Sequence, residues 1–332
     1  WERARKYNVG LELGLWNGLL TGNFDYFYES RTDILTQYLT RPQWVGVVMA
    51  AGNLGKTKNQ GVELELKHNN RIGKDFYYNV GFTFSHARNE ILDMDEPDAK
   101  TGYRKQEGHP INQYFGLICD GFVTQADLDN PNFPKSTYGN VQVGDLKYRD
   151  MNGDGFIDDR DETFIGYSDI PENTYALTLG AQWKGIGFSV MFQGVDHVSR
   201  FYDAEAMFAF VNGGKVKEHH LGRWNPAMSE EYNLANATYP LLHYDSYGNH
   251  NQRQNSFFLK NGAFLRLKNI ELSYSLPQSW IKKAAMKECR IYVNASNLVT
   301  WDHLGGLTDP ESNGSNRYPI MKTVNFGVNI QF

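Results

Sequence analysis

Tyr318 to Phe332 reads YPIMKTVNFGVNIQF. From Val324 onward the apolar residues fall on every second position (Val324, Phe326, Val328, Ile330, Phe332), with Asn325, Gly327, Asn329 and Gln331 between them. Side chains alternate across a β-strand, so this is a strand with one apolar and one polar face. Such a strand either lies on the core of a soluble sandwich or stands between lipid and a wet lumen, as in outer-membrane barrels.

The same period recurs back along the chain. Tyr7, Val9, Leu11, Leu13 and Leu15 lead through an Asn17-Gly18 turn to Leu20, Phe24, Tyr26 and Tyr28, a hairpin with a preferred turn. Val62, Leu64 and Leu66 pair in pattern with Phe76, Tyr78, Val80, Phe82 and Phe84; Tyr175 to Trp183 turns at Lys184-Gly185 into Phe188, Val190 and Phe192. A strand from about Phe257 to Leu276 slips in phase between Leu267 and Ile270, which predicts a bulge. Pro277 to Lys287 is read as a short helical turn, and Ile291, Val293 and Ala295 begin the penultimate strand.

The connections separate the two readings of the fold. They are short at Asn17, Asn70, Lys184 and Pro277, and long at about Ser30–Lys58, Arg88–Asn173, Asp196–Ser256 and Asp302–Arg317. A sandwich has no reason to place every long loop at one end, whereas outer-membrane barrels have short periplasmic turns and long extracellular loops. Glu12, Asp25, Glu63, Glu65 and Glu271 fall on the polar phase, where a wet lumen tolerates charge. The fold class is therefore all-β, a transmembrane antiparallel barrel portion of nine strands with Phe332 at the periplasmic rim. Nine is odd, and single-chain bacterial barrels have even strand numbers, so the first part of the barrel and any plug are expected in another segment.

Composition agrees. Aromatics make up 14% of the chain, and 32 glycines suit many strands with tight turns. The mean hydropathy of -0.55 and the lack of an apolar run near ~18 residues exclude a spanning helix but not strands that meet lipid on one side. A net charge of -5 gives no nucleic-acid footprint. Cys119 and Cys289 stand far apart, with neither metal-ligand nor disulfide spacing. The chain opens WERARKYNVGLELGLW, directly into a strand with no signal peptide, as in a cytosolic protein or a piece whose beginning lies elsewhere.

One stretch carries sharp chemistry: GDLKYRDMNGDGFIDDRDETFIG, Gly144 to Gly166. Asp150, Asn152 and Asp154 hold positions 1, 3 and 5 of a calcium loop, Gly155 makes the turn at 6, Phe156 offers its carbonyl at 7, and Asp161 falls at 12. Asp161 reaches less far than the usual Glu, so Asp158 or a water is assigned to complete the shell. Calcium is the expected structural ion and magnesium the second choice; the competing reading is a metal-free acidic Asx turn. His219, His220, His243 and His250 are too irregularly spaced for a transition-metal site. Trp224, Tyr232, Tyr239, Tyr244 and Tyr247 either stack on substrate sugar rings or pack their loop. Acids such as Glu230-Glu231 have no discernible cleft, and no nucleophile arrangement is present, so the chain is not read as an enzyme.

The series as a whole resembles the C-terminal part of SusC/RagA-like TonB-dependent outer-membrane transporters. The likeness is carried by Trp1-Glu2 with YNVGLEL, DYFYESRTDIL (Asp25 to Leu35), GNLGKTKNQGVELEL (Gly52 to Leu66), YFGLICDGFV (Tyr114 to Val123), the acidic loop, FLKNGAFLRLKNIELSYSLP (Phe258 to Pro277), NASNLVTW (Asn294 to Trp301) and the final strand ending in Phe. The resemblance implies a barrel of about 22 strands, with this chain supplying the last nine. It also implies residence in the outer membrane of a Gram-negative bacterium, a SusD-like surface lipoprotein as partner, and oligosaccharide or peptide uptake energised through TonB, which engages the N-terminal region. The competing class is a secreted, calcium-stabilised sandwich lectin or adhesin.

Overall fold

The structure is a computed structural model that describes residues 1–332 except 39, 41–49, 98–100, 203, 245–248, 283–284, 313–317 and 319. Nine strands form one antiparallel sheet: β1 (Arg3–Leu15), β2 (Leu20–Thr36), β3 (Gly52–Ile72), β4 (Phe76–Asp93), β5 (Asn173–Trp183), β6 (Ile186–Asp196), β7 (Phe264–Ser275), β8 (Glu288–Asp302) and β9 (Thr323–Gln331). Their order in the sheet is their order in the chain. Every connection therefore joins neighbours, and short and long connections alternate between the two ends as the sequence predicts. β1 and β9 are the two edges, each paired on one side among the described residues.

One face is apolar and open. Val9 on β1, Trp183 on β5, Leu272 on β7 and Phe326 on β9 are all more than half exposed. Their alternate neighbours form the polar face. The tight turn between β5 and β6 is built on Lys184 (φ 47°) and Gly185 (φ 88°), the left-handed pair that a two-residue hairpin with the right twist requires. The predicted bulge is present: β6–β7 pairing jumps from Met191–Asn269 to Phe192–Leu267. The extra residue, Lys268, leaves Leu267 and Ile270 both on the apolar face, and β8 carries an extra residue of its own opposite it, where pairing with β7 passes from Leu267–Val299 to Asn269–Ser296.

The strand bounds differ from the sequence reading in one systematic way. β2 runs to Thr36, β3 starts at Gly52, and β4 runs to Asp93, so both flanks of the segment read as irregular from Ser30 to Lys58, and the start of the excursion from Arg88, are strand. Beyond the apolar belt polar residues fall on both faces (Arg31, Thr32 and Asp33; Lys56, Thr57 and Lys58; Arg88, Asn89 and Glu90) and Ile34-Leu35 and Ile91-Leu92 stand as adjacent pairs, which removes the two-residue hydrophobic period while the backbone ladder continues. At β7 the error is the reverse. Lys260–Asn261 belongs to a separate two-stranded ladder with Ser199–Arg200, and the wall strand begins at Phe264.

Candidate functional site

At the polar face, Asn23, Asp25, Glu63, Glu65, Thr83, Ser85 and Thr174 line a trough of about 420 Å³ along β2 to β5. Arg290 on β8 pairs with Glu271 on β7, and Lys67 pairs with Glu65. The carboxylates assigned by alternation to the lumen phase thus do line a polar surface.

The long excursions are not loose loops. The described residues of 94–172 and 197–263 fold together over a shared core of Leu117, Leu146, Tyr148, Met207, Phe208 and Phe258, joined by Leu304 from the last long connection. Polar clasps tie the two excursions. The Asn251 amide oxygen accepts the Leu146 N–H at 2.9 Å, the Tyr148 hydroxyl donates to the His250 carbonyl at 2.9 Å, and His243 meets Asp145 at 2.5 Å. Leucines and phenylalanines spaced along two polar stretches give no strand or helix period, so this core escapes pattern reading and emerges only when the excursions meet.

The cap decides the fate of the aromatic candidates. Trp224 is 3% exposed, packed on Gly144 and edge-on to Phe122, and Tyr239 is 6% exposed with its hydroxyl donating to the Met207 carbonyl. For these two the packing alternative holds, because their rings are spent on the cap's core. Tyr232 and Tyr244 are exposed, and Tyr247 lies outside the described residues. The histidines are likewise structural and separate. His219 and His220 lie at the Met207 carbonyl, while His250 binds the Leu146 carbonyl and the Ser136 hydroxyl.

The acidic loop adopts the predicted turn, with Gly153 and Gly155 at φ 73° and 81°. Asp150 accepts the N–H groups of Gly153 and Gly155, and Asp154 accepts that of Phe156. Asp161, fully buried, ties the loop's ends together by accepting the Met151 and Asp158 N–H groups at 2.9 Å each. Arg160 bridges Asp154 and Asp158 at 2.7 Å each and holds the Asp158 carboxyl below the usual carboxylate range. The donors are hard oxygens on a glycine turn, which suits calcium in kind. Their present geometry is that of Asx turns closed by an arginine, and among the described residues no three His, Cys, Asp or Glu side chains are gathered for a metal. The loop touches the second excursion directly: Arg253 reaches Asp159 at 2.8 Å and Glu162 at 3.2 Å, and covers the Tyr138 ring.

Comparison with known proteins places this architecture. A family model described as "TonB dependent receptor-like, beta-barrel" matches residues 1–298. The chain is 26% identical over its whole length to TonB-dependent receptor P3 of Formosa agariphila, covering 34% of that protein, and 25% identical to TonB-dependent receptor SusC of Bacteroides thetaiotaomicron, covering 32% of it. It spans about a third of the length of these curated relatives. Among solved structures it superposes along its whole length on the RagAB peptide transporter with a TM-score of 0.72 at 23% identity, covering 36% of that chain. The matched family, the alternating connections and the apolar outer face agree, and the chain belongs to the TonB-dependent receptor-like β-barrel family of outer-membrane proteins.

Proposed function

We propose that this chain forms the C-terminal wall and extracellular cap of an outer-membrane importer of oligosaccharides or peptides. One observation carries the reading: the long connections gather at one end of a two-faced sheet and fold into a packed cap, while the trough behind them is lined by carboxylates and amides. A membrane wall needs the apolar face, and a solute path needs the polar one. SusC and the RagAB peptide transporter, which it resembles, support uptake of glycan or peptide with a SusD-like lipoprotein above the cap and TonB acting from the periplasm. Further strands of the same barrel would pair with the edges of β1 and β9. The test is uptake of labelled oligosaccharides and peptides by cells with and without the intact transporter, and with the proton gradient collapsed. Accumulation that persists without the gradient overturns active import, and a protein recovered without detergent would favour the lectin reading.

The acidic loop is proposed to take calcium through Asp150, Asn152, Asp154, the Phe156 carbonyl and Asp161, with Arg160 releasing Asp154 and Asp158. Its role is to pin the cap. Calcium that leaves melting and protease resistance of the cap unchanged against a chelator control sinks this assignment.

A further inference from the structure

The first excursion rejoins the wall where the second leaves it. Asn173 opens β5 and Asp196 closes β6, and each stands opposite the other in register; His86 of β4 stands opposite Asn173 on its other side. The three form a row on the face of Phe84 and Tyr175, one step outward from the apolar belt. His197, the first residue of the second excursion, joins them. Successive side chains of a strand point to opposite faces, but His197 has φ 50°, in the left-handed region, and its ring turns back beside the Asp196 carboxylate. A non-glycine residue holds such a backbone at a cost that its surroundings must offset. Tyr167 of the first excursion lies edge-on to the same ring at 4.9 Å.

Three polar atoms here stand within hydrogen-bonding distance of one another. Asn173 Nδ2 donates to Asp196 Oδ1 and lies 2.6 Å from His197 Nδ1, and His197 Nδ1 lies 2.7 Å from Asp196 Oδ1. Neither tautomer of His197 satisfies this triangle. With Nδ1 protonated, the ring and the amide face each other as donors; with Nδ1 bare, the ring and the carboxylate face each other as acceptors. A half-turn of the Asn173 amide changes the pattern. Its Nδ2 then donates to His86 Nδ1, which stands 2.7 Å from the amide's other end. Its Oδ1 then joins Asp196 Oδ1 and His197 Nδ1, so that three acceptors converge on one point, and what fits among them is a cation.

We propose that Asn173, Asp196 and His197 form a site for a divalent first-row transition ion, with zinc as the reference case. A carboxylate, an imidazole and an amide oxygen suit such an ion, whereas calcium and magnesium take oxygen ligands throughout. Zinc ligands stand about 2.0–2.2 Å from the metal, hence about 3.0–3.4 Å from each other, so the three donors need to spread by about 1 Å or less. The Asp196 and His197 side chains are 39% and 45% exposed, which leaves room for water to complete the shell. His86 is a positioning residue, because its ring holds the amide with the oxygen turned inward. Glu172, beside Asn173 in the chain, is engaged by Arg88 at 3.6 Å. An ion at this point ties the end of one excursion to the start of the other and staples the cap to the wall at its roots. The site is separate from the acidic loop and is independent of whether that loop takes calcium and of what the barrel imports.

The test uses the intact outer-membrane protein carrying this chain, stripped with a chelator in mild detergent and dialysed against zinc, with bound metal counted per protein. Wild type should hold one zinc more than D196N/H197Q at the same free zinc, and excess calcium or magnesium should not displace it. N173D puts a second carboxylate into the triangle and should bind that zinc about tenfold more tightly, since affinity follows ligand charge. H219Q, in the cap, should match wild type. Equal zinc in wild type and the double variant overturns the proposal and leaves the triangle to a proton on His197 shared between two oxygens; N173D with unchanged affinity overturns it as well. Assembly is checked by heat-modifiable gel mobility. Should the double variant fail to assemble, N173D against N173L decides, the first expected to gain the zinc and the second to lose it.

Discussion

The guanidinium of Arg266 on β7 and the carboxylate of Glu311, in the connection between β8 and β9, meet at 2.6 Å. Arg266 is 1% exposed and satisfies itself further with Asp309 at 2.7 Å and the Thr300 hydroxyl at 2.9 Å, while Lys268, the bulged residue, also reaches Glu311 at 3.0 Å. Arg266 and Lys268, two residues apart, present their cations on the same side of β7, and the last long connection folds back onto them.

Arg266→Met should release that connection. Removing one member of a buried ionic network leaves its partners uncompensated and costs about 3–5 kcal/mol. Limited proteolysis between Leu304 and Ser312 should accelerate markedly in the variant and much less in Lys268→Met, whose ammonium is more exposed.

Trp224→Ala should destabilise the cap by about 3–5 kcal/mol, the usual cost of emptying a buried aromatic site. Tyr244→Ala, at an exposed ring, should change stability by no more than about 0.5 kcal/mol. Hydrogen exchange at Leu117, Leu146 and Tyr148 distinguishes the two, because these amides report the shared core.

Cap stability should fall in acid. His220 donates from Nε2 to the Met207 carbonyl and accepts the Lys217 N–H at Nδ1; burial lowers its pKa to about 4. His250 is held in the same neutral form by Leu146 and Ser136, and burial lowers its pKa as well. The unfolded cap binds protons that these rings exclude, so their contribution is fully present above about pH 6.5 and declines from there toward about pH 4. Melting of the wild type across that window should show the slope, and His220→Gln with His250→Gln should flatten it.

Cys119 should resist alkylation at neutral pH. Burial pushes its thiol up to about 11, and only the thiolate is a competent nucleophile. Maleimide labelling should be at least tenfold slower than for a free cysteine in solution, and should recover when the cap is unfolded in urea.

The nine strands, their order, the bulge at Lys268 and the two faces were legible because a period of two survives wherever one side of a strand meets lipid. The turn chemistry at Asn17-Gly18 and Lys184-Gly185 fixed the hairpins locally. Where that contrast ends, at Ser30, Lys58 and Arg88, the sequence lost the strands although their backbone pairing continues. The acidic loop was legible as a turn, since glycine and Asx spacing act locally. That Arg160 closes it and Arg253 clamps it from the other excursion depends on contacts 6 and 94 residues away from Asp154 and Asp159. The same distinction governs Trp224 and Tyr239: an aromatic residue in a polar stretch reads alike whether it faces solute or core. Sequence alone determined which residues meet lipid, through alternation; only the tertiary structure decided which loop residues are buried, because that burial arises when two remote excursions exclude water from a common core.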